Sequence, residues 1–162
     1  WQVAAILQVP RVTLGLSASS KGWYCGSLQI VSSHDGSITD TQNVTSVEGQ
    51  PITREWLQWK LHDGDFDIQT TAKCIIVVEK EGIYKRLCED RFFDRIPCII
   101  VTGKGVPDLA TRAFVHTMHT AFGNLPVYGV CDCNPYGVGV LWTYQQGSHK
   151  LGLDGGDRYS VP

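Results

Sequence analysis

The chain has 162 residues, with 14 lysines and arginines against 16 acids and a net charge of −2. That length allows one good core, or one domain with part of another. The charge excludes a bulk-basic nucleic-acid coat, so any grip on such a polymer must come from local patches and a bridging metal.

The six cysteines, Cys25, Cys74, Cys88, Cys98, Cys131 and Cys133, lie in apolar runs with no CxxC. That pattern suits reduced core thiols in cytosol or nucleus rather than a disulfide framework. No apolar run approaches membrane-spanning length and no secretory leader pattern opens the chain, so no membrane partner is expected and the Asn43-Val44-Thr45 sequon reads as idle. Trp1 is not an initiator methionine and Val161-Pro162 is not a capping element, so the chain reads as a fragment.

In chain order, Val3, Ile6 and Leu7 suit the last turns of a helix stopped by Pro10. Residues 12–16 and 27–31 read as strands joined through SSKGWYCG, with a turn at Asp35-Gly36, the pattern of a small β-wing after a helix. Residues 32–55 are polar and rich in turn formers, which places a domain boundary near residue 50. A short helix from Thr53 to Leu61 would follow, covering one side of the next domain with Trp56, Leu57 and Trp59.

The acidic turn HDGDFD, with Asp63, Asp65 and Asp67, resembles the opening of a calcium loop. Such a loop needs glycine sixth and glutamate twelfth, where this chain has Ile68 and Cys74, so calcium is rejected.

Three β-branched runs then alternate with helix-length segments. CIIVV closes at Glu79; a helix follows over about 82–93; CIIV ends at Val101. A helix then runs from GKGVPDLATR to about Gly123, and VYGVCDCN carries Asp132 and Asn134. Short apolar runs in this arrangement read as βαβ units around a parallel sheet, an α/β fold. Cys131 and Cys133 straddle Asp132 and, in a strand, would point away from it. Asn134 before Pro135 reads as the N-cap of a last helix over about 136–144.

Ligands of such sheets bind beyond the carboxyl ends of the strands, where Glu79 and Asp132 fall. Two acids there suit a hard cation such as Mg²⁺, which keeps waters and bridges to a phosphate; the opposing reading is charges that only solvate strand ends. Lys104 and Arg112 could contact phosphate, or serve as a surface charge or an internal ion pair. His116 and His119 sit one helical turn apart with no third ligand nearby in sequence, so a polar stripe is favoured over zinc. GKG lacks the P-loop spacing, and Gly137-Val138-Gly139 lacks the rest of a dinucleotide fingerprint.

VVEKEGIYKRL, VTGKGVPDLATR and CDCNPYGVGVLWTYQQGS, in this order and spacing, closely resemble the Toprim domain of the topoisomerase VI A-subunit family, which includes the eukaryotic meiotic double-strand-break proteins. ILQVPRVTLGLSASSKGWYCG resembles the end of that family's winged-helix domain. The resemblance covers roughly residues 3–150, and its NPYG and QQGS wording is nearer the meiotic branch. It implies a Toprim domain with a Rossmann-like parallel sheet over 51–162, preceded over 1–50 by the end of a winged-helix DNA-binding domain.

The resemblance also implies an activity: a tyrosine attacks duplex DNA and stays joined to the 5′ end, while Toprim acids hold Mg²⁺. Glu79 is then the first metal residue, Asp132 opens the later pair, and Asn134 stands at its second position, where many members have aspartate. Lys104 and Arg112 are the DNA-facing cations. The implied partners are double-stranded DNA, a second A-type subunit in a homodimer or paralogous heterodimer, and a topoisomerase VI B-like subunit, all in the nucleus. None of Tyr24, Tyr84, Tyr128, Tyr136, Tyr144 or Tyr159 matches the context of the nucleophile, which is expected upstream of Trp1. A topoisomerase that relaxes or decatenates DNA, a Toprim hydrolase and a non-catalytic DNA-binding subunit remain the alternatives.

Overall fold

The computed structural model describes residues 6–8, 13, 19, 21–32, 38–42, 49–53, 66–147 and 159–161. The Asp35-Gly36 turn, the sequon, and most of the strand expected over 12–16 and of the helices expected over 1–9 and 53–61 lie outside the described residues. So does most of the acidic turn, of which Asp67 falls in a strand.

Five strands form the main sheet, in the order β4-β1-β7-β6-β8: β1 (Trp23–Gly26), β4 (Gln50–Pro51), β6 (Cys74–Val78), β7 (Cys98–Thr102) and β8 (Val127–Val130). β6 runs parallel to both β7 and β8, as the alternation of apolar runs and helices predicts. β1 is antiparallel to β7, with Cys25 opposite Ile100, and antiparallel to β4. The fold is therefore α/β with a mixed sheet in which β7, β6 and β8 form the parallel side and β1 and β4 the antiparallel one.

The WYCG segment, expected as part of a connector, is itself a strand of this sheet. Tyr24 reaches over to α3 (Leu109–Ala121) and meets Phe114, ring centroids 4.6 Å apart. Three residues between glycines are too short for a strand signal; the pairing with β7 supplies it. Segments from either side of residue 50 thus share one sheet.

Gly26 and Ser27 carry the chain from this sheet into a second, antiparallel one, β3-β2-β5, made of β2 (Leu28–Ser32), β3 (Ile38–Asp40) and β5 (Phe66–Thr70). Gly26 has φ +112°, and a Cβ there would lie 2.2 Å from the Cys98 carbonyl oxygen, so only glycine fits.

Alternate residues of β6 feed two cores. Ile75 and Val77 pack with Phe114, Val115 and Met118 of α3 and with Val140 and Tyr144 of α4 (Pro135–Gln146). Cys74 and Val78 pack with Tyr84 and Cys88 of α1 (Glu81–Glu89) and Phe93 of α2 (Phe92–Arg95). Helices on both faces explain why the strands need no polar alternation.

The single helix expected over 82–93 is split. Arg91 turns to φ +46°, pairs with Asp94, lies 5.3 Å over the Phe93 ring and donates to the Gln42 carbonyl. Helical spacing could not register a residue whose partners lie off the helix.

Candidate metal centre

The parallel register aligns Val78, Thr102 and Val130, so the chains leaving β6, β7 and β8 emerge together at the carboxyl edge. Glu79 is the first residue beyond β6. Its own amide donates to the Val130 carbonyl, and its carbonyl accepts from Gly105 of the loop after β7. The residue is 7 % exposed, and Oε2 accepts the Asp132 amide across 3.0 Å. The two sequence-predicted acids are therefore adjacent.

β8 stops at Val130 because Asn134 caps the next helix: Oδ1 accepts the Gly137 amide at 2.9 Å, and Pro135 occupies the first turn. Residues 131–134 are thus not strand, and the expected alternation of Cys131 and Cys133 about Asp132 does not arise. Cys133 is exposed and Cys131 half-buried, in contrast to the other four thiols, which are buried. Asn134 lies beside the acids and is exposed, with its oxygen engaged on the helix.

Gly137 is the residue that lets this helix start come so close. A Cβ there would stand 2.3 Å from the Asp132 carbonyl oxygen and 3.0 Å from Glu79 Oε2. The start of a 12-residue helix consequently rests against both residues.

Two features of the site are not legible as motifs. Lys80 pairs with Asp132, Nζ to Oδ2 at 2.7 Å, and that contact raises the lysine pKa above its ordinary value. Gly137 stands in the sequence only as a fragment of a failed dinucleotide pattern. The EK pair at the end of an apolar run is the available signal for the first; nothing local distinguishes Gly137 from Gly139.

Lys104, at φ +51°, binds Glu81 at 3.1 Å and lies 5.2 Å from the Trp23 ring centre, at the rim of the same edge. Arg112 is a correction. Expected as a DNA-facing cation, it is fully buried on the core side of α3, where a phosphate does not reach it. There its charge opposes that of Asp108 on the Tyr144 hydroxyl, whose pKa burial raises. His119 is buried with Nδ1 on the Leu125 carbonyl, and His116 Nδ1 meets the Ser160 carbonyl, so both histidines serve the fold.

This edge, with its acids at the ends of neighbouring parallel strands, corresponds to a named family. Residues 74–161 match the model described as the Toprim domain of the topoisomerase 6 A-subunit/Spo11 proteins. The chain belongs to this topoisomerase 6 A-subunit/Spo11 family. It is 40 % identical over 152 residues to the meiotic recombination protein SPO11-2 of Arabidopsis thaliana, covering 94 % of this chain and 38 % of that protein. To the A subunit of DNA topoisomerase 6 from the same plant it is 37 % identical over 152 residues, covering 94 % and 33 %. The mouse meiotic recombination protein SPO11 is 33 % identical over 153 residues, covering 94 % and 36 %. The chain thus spans between about a third and two fifths of these relatives' length.

Toprim domains generally bind Mg²⁺. The donor types here fit such an ion: the Glu79 carboxylate is held by the main chain of Asp132, whose own carboxylate is half-exposed to water. Among the described residues no group of three His, Cys, Asp or Glu side chains converges, so the remaining positions would fall to water, an amide oxygen or substrate.

Proposed function

We propose that Glu79 and Asp132 hold Mg²⁺ for metal-dependent cleavage of double-stranded DNA, initiating meiotic recombination, in a protein whose nucleophilic tyrosine lies outside this chain. The observation that carries the reading is the 3.0 Å bond from the Asp132 amide to Glu79 Oε2, because it joins the acidic residues that follow two different strands. The identity to meiotic recombination proteins supports the choice of reaction.

Glu79 is fixed by the Asp132 amide and by the helix start above it, so one carboxylate oxygen is oriented and the other is left for a ligand. Asp132 is half-exposed, which leaves its carboxylate open to a ligand from solvent. Asn134 offers an amide oxygen at the third position, weaker than a carboxylate and shared with its cap. The bound ion would supply positive charge where the phosphodiester oxygens gain negative charge. Lys104 is the half-exposed cation for a flanking phosphate.

The partners proposed with this reading are duplex DNA, a second A-type subunit, plus a topoisomerase VI B-like subunit, in the nucleus. Residues 1–50 would end a winged-helix DNA-binding domain that lends β1 to the Toprim sheet of 51–162. The experiment is covalent capture: full-length protein with its B-like subunit, duplex DNA and Mg²⁺, stopped with detergent. Protein joined to 5′ ends, lost in Glu79→Gln with DNA binding retained, is expected. Free 5′-phosphates would point to hydrolysis, and wild-type joining by Glu79→Gln would remove the metal role.

A further inference from the structure

Lys80 follows Glu79 directly, yet its ammonium reaches 2.7 Å from Asp132 Oδ2 and also feels the charge of Glu79. A positive group therefore already stands at the paired carboxylates. The lysine side chain is 57 % exposed, so its stem can swing away without disturbing either core. An ammonium and a divalent ion repel each other and compete for the same carboxylate oxygen. An ion pair this exposed is weak enough to be displaced.

We propose that Lys80 is the resident counter-ion of the Glu79–Asp132 site, which yields Asp132 to the incoming metal and then turns to a DNA phosphate. This rests on the metal reading above. Lys80 is then a positioning residue that couples the two ligands. Without metal it is held by Asp132 and is not offered to the DNA backbone. With metal it becomes one further cation for the backbone. Coupling of this kind is reciprocal: metal strengthens DNA binding through Lys80, and DNA strengthens metal binding by the same factor.

The test uses full-length protein, Mg²⁺ by calorimetry, and a duplex oligonucleotide by anisotropy with and without Mg²⁺, in wild type, Lys80→Met and Lys80→Arg. Removing the competitor is expected to tighten Mg²⁺ binding of Lys80→Met by about two- to fivefold in the absence of DNA. Its DNA affinity should match wild type without Mg²⁺ and fall below it with Mg²⁺, the salt slope losing about one unit in that case alone. Lys80→Arg should keep most of the coupling. Unchanged or weaker Mg²⁺ binding by Lys80→Met would overturn the proposal, as would a DNA defect equal with and without metal. A wild-type protein that takes up no Mg²⁺ would remove the metal reading itself; wild-type uptake with an indifferent Lys80→Met removes only this inference.

Discussion

The Asp132 amide donates to Glu79 Oε2 across 3.0 Å, joining residues 53 positions apart at the carboxyl edge of the sheet. The bond needs the chain to leave β8 and turn at once into a helix, and the close approach of that helix rests on Gly137.

Gly137→Ala is therefore expected to cost about 1–3 kcal/mol and to weaken Mg²⁺ binding, since its Cβ would press on Asp132 and Glu79. Gly139→Ala is the control: nothing lies within 4 Å of its Cβ, and replacing a mid-helix glycine should stabilise by roughly 0.5–1 kcal/mol. Thermal melts and metal titration of both variants check the pair. Equal behaviour would contradict the close-approach argument.

Asn134 separates cap from ligand. Asn134→Ala should lose about 1 kcal/mol of stability by freeing the Gly137 amide, whereas Asn134→Asp keeps an oxygen for that amide. The second atom of the asparagine amide is a nitrogen that cannot ligate; in aspartate it is an oxygen. Asn134→Asp is thus expected to bind Mg²⁺ more tightly with its metal-free melting temperature nearly unchanged. Unaltered affinity would mean that this position serves the helix alone.

Asp108 caps α3, accepting the Thr111 amide at 2.8 Å and its hydroxyl at 2.6 Å, and also holds the Lys21 amide. Asp108→Ala should cost about 1–2 kcal/mol in a denaturant melt, at the upper end of cap replacements because several donors lose one partner. A loss below a few tenths would contradict that role.

Thiol reactivity should divide the six cysteines. Cys131 and Cys133 are expected to react quickly with an exposed-thiol reagent under native conditions. Cys25, Cys74, Cys88 and Cys98 should react only on unfolding, with the Cys98 thiol pushed up to about 12 by burial. Peptide mapping after brief labelling gives the answer; label on Cys74 or Cys98 at the rate of Cys133 would contradict the burial.

The acids were legible in sequence because each closes a β-branched run, and parallel register brings the ends of such runs together whatever lies between. Asn134 was legible as a cap because its signal is local. Arg112 and the two histidines were misleading because α3 is enclosed on both sides: Tyr24 reaches it from β1, and Ser160 reaches it from the far end of the chain. No helical period reports such cover. The mixed sheet was illegible for a similar reason, since β1 is short and is defined by its pairing with β7.

The central claim is that Glu79 and Asp132 form one Mg²⁺ site, and calorimetric titration of full-length protein against its Glu79→Gln and Asp132→Asn variants tests it most directly. The account requires saturable Mg²⁺ binding by wild type that each substitution abolishes, with near-ultraviolet circular dichroism unchanged. Wild-type affinity in either variant would contradict it.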